Sequence, residues 1–191
     1  MFSFEFRGYG PSVEQIYQPD RQCGLGPGLP NQSMAAALGN LDAEALIGQQ
    51  TIVDFDMVRC CISGLWLFHD FLDKSHVLSQ QIDTATGSYW HAIMHRREPD
   101  YSNSKYWCRK VPKHEIHAQL CESARQLAQQ NPIDSHSQFL AAQTVWDPFA
   151  FVDLCQAVAG GHSDSGNLAR DVATLEWQLL FDFCYRKAIG Q

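Results

Sequence analysis

The chain has 191 residues, 45% of them hydrophobic and 18% charged, with a formal net charge of -7. That composition excludes a disordered chain, and the length suffices for one domain with a sizeable core. The acidic balance argues against nonspecific nucleic-acid binding by the whole surface, and no apolar run approaches the roughly 20 residues of a membrane span.

At the N-terminus Phe2, Phe4 and Phe6 alternate with Ser3 and Glu5, the pattern of a short strand or of an extended arm laying its rings on the body. The opening MFSFEFRGYGPS has no basic segment followed by an apolar one, so no secretory signal is expected. Pro19 to Pro30 reads as loop. It carries Gly24, Gly26 and Gly28, but without a preceding strand or a following lysine a phosphate cradle is disfavoured. Residues 1–40 are thus expected to form an extended Gly/Pro-rich arm, and 41–191 a helical body.

A short helix is predicted from Asp42 to Gly48. The main one begins near Thr51 or Asp54 and runs to Phe71, with Val53, Met57, Cys60, Cys61, Gly64 and Phe68 at helical spacing. Between Cys60 and Phe68 it is apolar on nearly every face, which marks a buried, central helix, and Gly64 offers a close approach for a neighbour. Further helices are predicted over Ser88–Glu98, capped by Thr86 or Ser88, over Ser102–Lys110, and over His114–Gln130 before Asn131-Pro132. Residues 133–146 are ambiguous. Asp147-Pro148 starts a helix that stops at Gly160-Gly161, and a last helix covers Leu168 to Ala188. The fold class is all-α: a single domain of five or six main helices around the central one.

Seven cysteines, odd in number and with no CxxC, do not form a disulfide framework. A reducing, cytoplasmic setting fits them, and small buried hydrophobes describe them better than nucleophiles.

Chemistry concentrates in two stretches. LFHDFLDKSHVLSQ places His69, Asp73, His76 and Gln80 on one helical face, provided the helix stays straight, and continues the apolar stripe of Ile62, Leu65 and Trp66. In TGSYWHAIMHRREPDYSNSKYW, His91 and His95 lie four apart, with Glu98 on the same face. Two imidazoles on successive turns can meet one ion, and facing helices build such sites in bundle cores. The candidate metal ligands are therefore His69, Asp73, His76, His91 and His95. Imidazole with carboxylate suits zinc, iron, manganese or nickel without choosing among them. The competing reading is a hydrogen-bonded structural network without metal. A third is a metal-free general base, His69 or His91, oriented by Asp70 or Asp73.

Six of the 14 Lys and Arg residues fall between His91 and Lys113, against two of the 21 acids. Arg96, Arg97, Tyr101, Lys105 and Trp107 are the candidates for binding an anion or other ligand, by guanidinium forks beside aromatic rings. The bland alternative is an arginine–carboxylate network fixing the loop from Glu98 to Asn103, with solvated lysines.

Taken together, the two stretches resemble an uncharacterised family of helical proteins marked by an HDxxDxxHxxxQ segment followed by a YWHAIMHRREPDY-type segment. The similarity spans Leu65 to Val111 and covers His69, Asp70, Asp73, His76, Gln80, His91, His95, Arg96, Arg97, Glu98 and Asp100. The resemblance implies a helical fold and a site at this cluster, and no activity. Cys108 stands where the family pattern has an aromatic.

The expectation is a small-ligand or metal-binding helical protein, or a metal-dependent enzyme, with a His/Asp/Arg cleft, a small-molecule partner and a divalent transition metal. The alternative is a non-enzymatic protein-interaction or structural domain. The second alternative is an anion or nucleotide binder.

Overall fold

The computed structural model describes residues 2–191. Among these there is no strand, and the elements are eleven α-helices with two short 3-10 turns. They are α1 (Pro11–Ile16), α2 (Ala35–Gly39), α3 (Ala43–Ile47), α4 (Phe55–Phe68), α5 (Leu72–Ser79), α6 (Ala85–Arg97), α7 (Tyr101–Cys108), α8 (His117–Gln130), α9 (Gln138–Ala142), α10 (Pro148–Ala159) and α11 (Gly166–Ala188). No helix is long and apolar enough to cross a membrane.

Capping side chains set several boundaries. Asp54 accepts from the amides of Asp56 and Met57 to start α4, Thr84 from Gly87 to start α6, Asp100 from Asn103 to start α7, and Asp147 from Phe149 and Ala150 to start α10. Thr84 caps α6, ahead of the Thr86 or Ser88 expected, so that helix begins a turn earlier.

Helix α4 packs against α2, α3, α5, α6 and α11. The core is shared with α11 and α6: Trp177, Phe181, Trp90 and Phe68 are among its largest fully buried side chains. Gly64 lets α4 and α6 meet. A Cβ there would lie 2.7 Å from the Trp90 ring, and the buried Gly64 carbonyl accepts from the Trp177 indole at 2.8 Å.

The N-terminal forty residues differ from an extended arm. Phe6–Tyr9 is a 3-10 turn and α1 and α2 are helical, while Phe4 does lay its ring on the body, against Tyr9, Tyr17, Trp177 and Phe181. Burying aromatic area under a short segment outweighs the segment's weak local propensity.

Helix α4 does not continue to Phe71. It ends at Phe68, Asp70 takes φ 64°, and α5 restarts at Leu72. Aspartate tolerates this left-handed backbone better than most residues. The turned-out carboxylate is held by both Arg21 and Arg97. The glycine loop wraps that pair: the Gly26 carbonyl accepts from Arg97 Nε at 2.6 Å. A Cβ on Gly24 or Gly28 would collide with Arg97 or Asp70, at 2.9 and 2.6 Å. Those glycines hold a guanidinium–carboxylate pair of the protein's own.

Candidate functional site

The break at Asp70 decides which histidines meet. It removes His69 from the face of α5. His69 is instead fully buried, with Nε2 2.9 Å from the Ile16 carbonyl and Nδ1 3.1 Å from the Asn31 amide, so it ties the N-terminal segment to the body. Asp73 and Gln80 point to solvent. His76, halfway along α5, faces α6, where His91 and His95 occupy successive turns. One ligand nitrogen from each of His76, His91 and His95 lies within 4.8 Å of the others. Of the five candidate metal ligands, the structure brings these three together and leaves His69 and Asp73 outside.

The hydrogen bonds around the three rings form a directed chain. His95 Nδ1 faces Glu98 Oε2 at 3.2 Å, so it carries the proton and leaves Nε2 as a lone pair. Two donors approach that lone pair: His91 Nε2 at 2.8 Å and the Asn103 amide at 3.1 Å. His91 Nδ1 then accepts from Ser79 Oγ at 3.3 Å. His76 makes no hydrogen bond through its ring among the described residues; it sits edge-on, with centroids 4.8 Å from His91 and 5.2 Å from His95. Trp107 covers the other side of His91 with centroids 4.1 Å apart, and Lys110 lies 4.1 Å above Trp107.

This chain can hold a cation in place of its central proton. If His91 moves its proton to Nδ1, Ser79 Oγ becomes the acceptor and turns its own hydrogen toward the His76 carbonyl, 3.3 Å away. Both Nε2 lone pairs then face inward, with Glu98 and Ser79 fixing the outer nitrogens, the arrangement that orients imidazoles at metal centres.

The electrostatics favour neutral imidazoles, the form that binds metal. Burial pushes His91 down to about 3, reinforced by His95, His76 and Lys110. Burial also lowers His95, against the opposing pull of Glu98.

The basic cluster is differently placed. Arg96 is buried and pairs with Glu176, itself 1% exposed; Tyr89 donates to the same carboxylate at 3.0 Å, and the guanidinium lies 4.6 Å over Phe151. Arg97 pairs with Asp70. The arginines thus join α6 to α11 and to the α4–α5 turn, not to the loop from Glu98 to Asn103. Lys105 pairs with Asp153 on the surface, and Tyr101 is half-buried with no partner for its hydroxyl among the described residues. Of the five anion-binding candidates, Trp107 is the one whose ring lies against the histidine cluster, tilted 31° to His91.

Ser79 and Asn103 were not candidates from sequence, although Ser79 stands three residues beyond His76 and Asn103 follows the Asp100 cap. All seven cysteines are buried and unbridged. Cys108 packs with Ala92 and Val152.

No protein-family model, curated protein or solved structure matches the chain.

Proposed function

We propose that this protein binds a divalent transition metal ion through His76, His91 and His95, and uses the coordination position they leave free for a small ligand. The observation that carries this reading is the convergence of three imidazoles, two of them, His91 and His95, held neutral by burial and oriented from behind by Ser79 and Glu98. Zinc–nitrogen bonds of 2.0–2.1 Å put ligand nitrogens of one ion about 3.3 Å apart. The spread of 4.8 Å closes to that by side-chain rotation, chiefly of His76, which no ring hydrogen bond among the described residues restrains. Three nitrogen ligands and no carboxylate leave one place open on a tetrahedral ion, where a metal can acidify water or hold an oxygen-rich ligand.

A metal-free network is the second reading, and the 2.8 Å contact between the two Nε2 atoms favours it, since a hydrogen bond satisfies both rings. Titration of untagged, metal-stripped protein with cobalt(II) separates the two. Intense visible bands of tetrahedral cobalt, lost in His91→Ala and retained in His136→Ala, support the metal centre. No visible bands, or bands unaffected by His91→Ala, leave the network.

A further inference from the structure

A second site lies between the α7–α8 connection and the loop that precedes α10. It is a cavity of about 860 Å³, and none of the three clustered histidines lines it. That volume is in the range of pockets that enclose small organic ligands. Val111, Pro148 and Phe149 give it apolar walls, and Trp146, only 4% exposed, is part of its floor.

The charges on its rim are unequal in their commitments. Of the acids, Asp147 spends its carboxylate capping α10, and Glu115 lies 3.6 Å from Lys187. Of the cations, Arg109 and Lys113 make no ion pair or side-chain hydrogen bond with the described residues; Arg109 rests 5.8 Å over the Phe149 ring. His117 adds a neutral donor. Its Nδ1 accepts from the His114 amide at 3.3 Å, which leaves the proton on Nε2. The cavity therefore offers an apolar interior and a rim with free positive charge on a protein that is negative overall. This is the complement of an amphipathic anion.

We propose that this cavity binds an apolar monocarboxylate, its hydrocarbon part between Val111, Pro148 and Phe149 and its carboxylate at Arg109 and Lys113. Guanidinium and ammonium groups freed of internal partners bind a carboxylate by charge-assisted hydrogen bonds, and the apolar walls reward the tail. An equally apolar alcohol gains the second contribution without the first.

Calorimetric titration with 4-phenylbutyrate and with 4-phenylbutan-1-ol tests this. The acid should bind about tenfold more tightly than the alcohol, the ratio that one charge-assisted contact of ~1.4 kcal/mol produces. Arg109→Gln with Lys113→Gln should abolish that preference, and Phe149→Ala should weaken both compounds. Arg109 and Lys113 are exposed, so the double variant keeps the fold, which its thermal melt verifies. Equal affinity for acid and alcohol, no binding of the acid at millimolar concentration, or a preference that survives in the double variant would overturn the proposal. The site stands apart from the histidine cluster, so neither result bears on metal binding.

Discussion

Helix α6 carries two kinds of polar residue in one buried segment, and they are treated differently. Arg96 and Arg97 each meet a carboxylate, on α11 and at the α4–α5 turn, and are finished as interactions. His91 and His95 are held from behind and turn toward each other and toward His76, which has no ring hydrogen bond among the described residues. Sequence proximity gives both pairs the look of a site. Saturation distinguishes them: a guanidinium closed on a buried carboxylate has little left to offer a ligand, whereas converging imidazoles have lone pairs to give.

The largest effect should come from the saturated side. Glu176→Ala strands a buried guanidinium and the Tyr89 hydroxyl, and breaking such a pair costs about 3–5 kcal/mol. Against a typical total of about 5–15 kcal/mol, chemical denaturation should show a protein near the edge of folding. Wild-type stability in that variant would mean that Arg96 is not closed on Glu176.

A smaller loss is expected at His69, which links segments rather than binding metal. His69→Ala should cost about 1–3 kcal/mol by leaving the Ile16 carbonyl unpaired, with cobalt binding unchanged. Loss of cobalt binding in this variant would return His69 to the site.

Acidification sharpens the contrast, because arginines do not titrate and the histidines do. His69, His91, His95, His114 and His117 all have folded values below the ordinary 6.5, chiefly through burial. The unfolded chain therefore takes up protons near 6.5 that the folded chain refuses. Their contribution is fully present above that pH and is lost progressively as pH falls toward about 3, where His91 itself protonates. Melting of metal-free protein should move to lower temperature from pH 7 to pH 4, and less steeply in His91→Gln. An equal slope in the variant would mean that His91 is not held neutral.

The smallest structural change tests the finest part of the site. Glu98 is partly exposed, so Glu98→Gln should leave stability within about 0.5 kcal/mol. It should still reduce metal affinity by 10–100-fold, the usual effect of removing an orienting carboxylate. Unchanged affinity would reduce Glu98 to a surface residue.

The helical fold was legible because its signals are local: Asp54 and Asp147 cap their helices as the sequence implies, and Gly64 opens the α4–α6 contact. The pairing of His91 with His95 was legible for the same reason, a spacing of four within one helix. Nothing local revealed that α4 would stop at Phe68. That break depends on Asp70 accepting two arginines, one from 49 residues upstream and one from α6, with Gly24 and Gly28 making room. Periodicity carried past the break assigns His69 to the face of His76, and the turn that the long-range ion pairs hold removes it; Asp73 lies on α5 itself, with His76, and is turned to solvent. Glu176, 80 residues from Arg96, left no mark in the motif either.

Elemental analysis of untagged protein tests the histidine centre most directly, alongside the His76→Ala, His91→Ala and His136→Ala variants. Near-stoichiometric zinc, iron, manganese or nickel in the wild type and in His136→Ala, with depletion in His76→Ala and His91→Ala, is the expected result. Metal-free wild type that takes up none of these ions on incubation would contradict it, and would leave the three imidazoles as a hydrogen-bonded network.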